Sequence, residues 1–102
     1  MQWYHIVAYF FGGAFFVNAI PHFTNGVSGR KFPTPFASPP GRGLSPAVVN
    51  VFWGSLNLVI GYLLVFRVGT FDFRRTQDAL IVGVEGLVMG VMLSRTFAGI
   101  GR

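Results

Sequence analysis

From Pro46 to Phe66 the chain runs for 21 residues without a charged side chain. As a helix rising about 1.5 Å per residue, such a run is about 31 Å long, close to the hydrocarbon thickness of a bilayer, about 30 Å. A single small domain of 102 residues has no core wide enough to surround a helix of that length. Lipid is therefore the solvent this stretch predicts. Ser45 reads as its N-cap and Pro46 as its first helical residue, where a fixed φ and a missing N–H do no harm. Arg67 marks the exit.

The rest of the chain agrees with a membrane setting. Charged residues make up 11% of it, against about 25% in ordinary globular chains. Apolar residues reach 52% and include twelve Phe, more than a small core can hide. A first apolar segment spans about 3–20, opens on the interfacial rings Trp3 and Tyr4, and is ended or kinked at Pro21. A cleaved leader is the rival reading, because Val17 and Ala19 would suit a cleavage site. Against it, residues 1–5 carry no Lys or Arg, and Gly12 and Gly13 interrupt the apolar stretch. A third segment spans about 76–93, between Arg75 and Arg95. The expected fold is all-α: one membrane domain, 1–102, of three transmembrane helices at about 3–20, 46–66 and 76–93.

Between the first two helices a long Pro/Gly-rich loop is expected over 23–44. Prolines at 33, 35, 39 and 40 forbid a regular helix there. Disorder is one reading of such composition. Phe23, Phe32 and Phe36 favour the other, an ordered cap on the membrane face. The net charge of +5 does not suggest nucleic acid, since basic residues punctuate apolar runs rather than forming a stripe. Arg30, Lys31, Arg42, Arg95 and Arg102 fall on one side of a three-span chain and Arg67, Arg74 and Arg75 on the other. The excess of positive charge predicts a cytoplasmic first loop and C-terminus.

Small residues recur at helical spacing. Ala79, Gly83, Gly86, Gly90 and Ser94 share one face of the third helix, and Asn50, Gly54, Asn57 and Gly61 share one face of the second. Such faces join membrane helices, within one chain, in a homo-oligomer or in a larger complex. Two groups could do more than pack. Glu85 falls near mid-membrane, where an ionised carboxylate costs about 2.5 kcal/mol or more, so it must be protonated, paired or facing water. It lies about 120° around the helix from the small-residue face. Asp78, seven residues earlier, is on nearly the same side. Glu85 could bond Asn57 or Asn50 and fix helix register, form a polar track with Asp78 for a proton or cation, or meet a partner's cation. Asn18, His22 and Asn25 form the second group. One imidazole beside two carboxamides is a poor metal site; a lipid or quinone head group is the ligand such a group could hold. No cysteine is present, which excludes disulfides and thiol chemistry. No metal or cofactor signature appears, and nothing argues for an enzyme.

The stretch IPHFTNGVSGRKFPTPFASPPGRGLSPAVVNVFWG, Ile20 to Gly54, resembles small uncharacterised bacterial integral membrane proteins. That resemblance implies a bacterial inner-membrane location and no activity. The leading functional expectation is a non-enzymatic subunit or scaffold of a membrane assembly. An oligomeric proton- or cation-coupled transporter or channel element using Glu85 is the first alternative. A small lipid- or quinone-binding protein using His22 is the second.

Overall fold

The uncharged run becomes a helix, though it starts one residue later than expected. A computed structural model describes residues 2–72 and 74–99. Helix α1 is Trp3–Val27, α2 is Ala47–Tyr62 prolonged by a π-helical turn Leu63–Val68, and α3 is Thr76–Thr96. The chain is mostly helical, and α1, α2 with its turn, and α3 are each long and apolar enough to cross a bilayer. Pro46 flanks α2 with an extended backbone, φ −57° and ψ 156°, and Ser45 does not cap it. Ser45 is committed elsewhere: it pairs in a short β-ladder, and its hydroxyl lies 2.6 Å from that of Thr34.

The larger departure is at Pro21. The helix does not end there: α1 contains Pro21 and continues to Val27. Proline inside a membrane helix is tolerated when neighbours stabilise the turn around it. Here the last turns of α1 are held by close contact with the start of α2. A Cβ on Gly26 would lie 2.7 Å from the backbone nitrogen of Val51 and 2.8 Å from the carbonyl oxygen of Ala47. The Asn25 side-chain amide also donates to the Pro21 carbonyl, at 2.7 Å. Termination comes at Gly29, whose φ of 76° suits glycine, with the Arg30 N–H donating back to the Asn25 carbonyl at 2.8 Å.

The connection to α2 therefore spans 28–46 rather than 23–44, and it is hydrogen-bonded rather than plain loop. Strand β1, Phe32–Pro33, pairs antiparallel with β2, Leu44–Ser45. Between them the Gly41 N–H donates to the Thr34 carbonyl at 2.9 Å and the Gly43 N–H to the Pro39 carbonyl at 2.7 Å. Phe32 packs onto His22 and Phe97, while Phe36, itself largely exposed, sets its ring against Trp53. The segment closes over one end of the bundle.

Burial is inverted relative to a water-soluble domain. The buried apolar side chains are Ala8, Tyr9, Ala19 and Val65, while His22, Thr34, Ser45, Asn50, Asn57, Asp78 and Glu85 are buried beside them. Large apolar side chains face outward, with Phe52 73% exposed and Leu87 69%. In lipid that arrangement is favourable, because polar atoms find partners inside and apolar surface meets hydrocarbon. Helices α1 and α2 form the tight pair, meeting through Gly54 and Gly61 as well as Gly26. Helix α3 packs on α1 and buries only Asp78 and Glu85.

Candidate functional site

The six polar residues singled out from the sequence fall into three places along the bundle. At the capped end, His22 and Asn50 meet: the imidazole Nδ1 is 3.0 Å from the Asn50 Oδ1. The Asn50 amide nitrogen donates to the Phe32 carbonyl at 2.9 Å, with the Ser45 and Pro46 carbonyls each at 3.3 Å. Those three acceptors fix which way the carboxamide points, so its oxygen must accept, and Nδ1 of His22 is the protonated nitrogen. In the neutral ring, Nε2 is then left as an acceptor. Phe32, Trp53 and Phe97 set their ring edges or faces against the imidazole at centroid distances of 5.3, 6.3 and 5.9 Å. One turn deeper, the Asn18 amide donates to the Asn57 Oδ1 at 3.0 Å, and the Asn57 amide donates to the Trp53 carbonyl at 2.7 Å. Asn25 lies apart from both pairs and accepts from Arg30 Nε at 2.8 Å.

Glu85 stands in the middle of α3 and meets neither Asn50 nor Asn57, whose carboxamides are engaged with α1. Its neighbour is Gly13, and a Cβ there would overlap Oε2 of Glu85. That oxygen is buried and has no hydrogen-bond partner among the described residues. An open apolar groove of about 440 Å³ lies beside it on the outer surface, lined by Phe10, Leu80, Ile81, Val84 and Val88. Gly13 thus makes room for a carboxyl group between two helices.

Asp78 anchors the opposite end. Its Oδ2 accepts from Tyr9 Oη at 3.3 Å, from the Asp72 N–H at 3.1 Å and from Arg75 Nε at 2.8 Å. The Thr70 N–H donates to Tyr9 Oη at 3.1 Å, which ties α1, the α2–α3 connection and α3 together. The hydrogen bond to Asp78 holds the Arg75 guanidinium further above its already high ordinary range. Oδ1 of Asp78, like Oε2 of Glu85, is buried without a partner. Both carboxyl groups lie on the side of α3 that packs on α1.

Of the packing residues, Gly54 and Gly61 lie buried against α1. Gly86 lies beside Val17, whereas a Cβ on Gly83 or Gly90 would meet no atom within 4 Å, and Ala79 is exposed. Sequence reasoning missed Tyr9, Trp53 and Thr34. Tyr9 and Thr34 are fully buried, and Trp53 has its indole N–H buried without an acceptor. The Arg75–Asp78 spacing of three was a readable sign of an ion pair; nothing local marks Tyr9 as its third member. No group of three His, Cys, Asp or Glu side chains able to hold a metal occurs among the described residues.

Protein-family models, curated proteins and solved structures yield no match to this chain.

Proposed function

We propose that this chain is a small, non-enzymatic subunit of a multi-pass membrane assembly, and that α3 makes the contact with its neighbours. The observation that supports this is the exposure of α3. Its two buried side chains both face α1, while Ala79 and Gly83 offer a small-residue surface with open space in front. In lipid, such surfaces gain by admitting another helix closely, and a second copy of the chain brings the same face. The resemblance of Ile20 to Gly54 supports a bacterial inner membrane as the location. Arg30, Lys31, Arg42 and Arg95 support a cytoplasmic capped end; Arg102, counted with them, lies outside the described residues.

Gly83→Leu tests the contact. In mild detergent at native expression, the wild type is expected to migrate on blue-native gels as a species larger than one chain. The variant should run as the single chain, and Phe52→Leu on the lipid face of α2 should leave the species intact. A wild type already monomeric in the membrane sinks the proposal.

One observation favours a second reading, a proton- or cation-coupled element: the unpartnered Oε2 of Glu85 beside Gly13. Intramembrane carboxyl groups are costly and commonly mark ion pathways. On this reading, liposomes carrying the full chain show proton or cation flux, and Glu85→Gln reduces it at least about tenfold. Flux that survives the substitution removes Glu85 from that role.

A further inference from the structure

Three hollows at the capped end touch one another and grade from polar to apolar. The outermost, about 610 Å³, is lined by Pro40, Gly41, Arg42, Arg95, Thr96 and Ala98. It shares Gly41 and Thr96 with a smaller pocket of about 160 Å³, whose walls include Asn18, His22, Thr34, Trp53 and Phe97. Phe97 in turn borders an apolar groove of about 330 Å³ between α1 and α3, lined also by Val17, Ile20, Pro21, Gly90 and Leu93.

We propose that this series of hollows is a binding site for an anionic phospholipid, with its phosphate between Arg42 and Arg95, its glycerol–ester region at His22 and Trp53, and an acyl chain in the α1–α3 groove. Three independent features fit one amphiphile. Neither Arg42 nor Arg95 is in an ion pair among the described residues, and the chain's acids, Asp72, Asp78 and Glu85, lie at mid-helix or at the other end. Among the described residues no acid lies at this end, and a phosphate would supply the missing anion. The middle pocket, lined by His22 and Trp53, offers a donor for an ester carbonyl: the Trp53 indole N–H is buried without an acceptor among the described residues. At about 160 Å³ it is the smallest of the three hollows, on the scale of an ester group rather than of a whole lipid. The groove is the reverse, apolar along its length and open to hydrocarbon, with Gly90 leaving the space.

The test uses the full chain in phosphatidylcholine nanodiscs containing 10 mol% phosphatidylglycerol, with retained lipid counted by native mass spectrometry after detergent release. Wild type should retain phosphatidylglycerol at least about tenfold above its share of the bilayer. Arg42→Gln with Arg95→Gln should bring the enrichment close to one, because both side chains are exposed and their loss leaves the fold intact. Gly90→Phe, which fills the groove where the structure is open, should lower retention of both lipids. Arg67→Gln with Arg74→Gln, at the far end, should change nothing. Equal retention of the two lipids by wild type overturns the proposal, as does an equal loss on the far-end substitutions. So does displacement of phosphatidylglycerol by 10 mM inorganic phosphate, which would mark a site for soluble anions.

Discussion

Leucine in place of Gly54 is expected to separate α1 from α2 and to remove most of the folded protein. A Cβ at this position would lie 2.7 Å from the backbone nitrogen of Phe23, 2.8 Å from its Cβ and 2.9 Å from its Cα. Overpacking a helix contact costs about 1–3 kcal/mol where side chains can rotate away. Here the obstacle is backbone, which cannot, so the effect belongs at or above the top of that range. Thermal unfolding in mild detergent, followed by circular dichroism and by protease resistance, measures it. The same change at Gly83, which has open space before it, should leave the unfolding of the single chain unaltered. Equal stability of the Gly54 and Gly83 variants would mean that α1 and α2 do not approach as closely as described.

Asn50→Leu should have the next largest effect, by a different route. The two side chains are similar in size, so little packing is lost. What goes is the acceptor for the His22 Nδ1–H and the donor to the Phe32 carbonyl, with the Ser45 and Pro46 carbonyls close by. A buried polar group left without a partner costs about 1–3 kcal/mol, so for these two groups about 2–6 kcal/mol is at stake. Because those groups tie the 28–46 segment to the helices, its release is the expected consequence. Trypsin should then cut after Arg30, Lys31 and Arg42 about a hundredfold faster, following the rise in the open population when opening is fast. Asn57→Leu, which breaks one inter-helix bond at Asn18, should cost only about 0.6 kcal/mol, typical for such bonds in membranes. Unchanged cleavage in the Asn50 variant would show that the cap is held by something else.

The helices were readable because their signal is local: apolar runs of spanning length, bounded by Arg67, Arg75 and Arg95. The end of α1 was not. A proline rule looks four residues back, whereas the seven extra residues from Pro21 to Val27 are held by a surface on α2 that no window of sequence contains. Periodicity put Asn50, Gly54, Asn57 and Gly61 on one face without naming the helix opposite. Hence the sequence alone offers Glu85 the carboxamides of Asn50 and Asn57, which the fold engages with α1. Its neighbour, Gly13, looked like an interruption in an apolar stretch, because a glycine that makes room for a distant side chain has no signature of its own. The charge pattern showed basic residues near the capped end, yet the grading of its hollows depends on how the 28–46 segment folds back over Trp53 and Phe97.

That α3 packs on α1 while α1 and α2 form the tight pair bears on how the polypeptide is made. Synthesis delivers α1 and α2 first, and their cross-links, His22 to Asn50 and Asn18 to Asn57, need nothing that follows. The hairpin can close while α3 is still on the ribosome. Helix α3, made after them, then brings its own carboxyl groups to a pair that can already stand together.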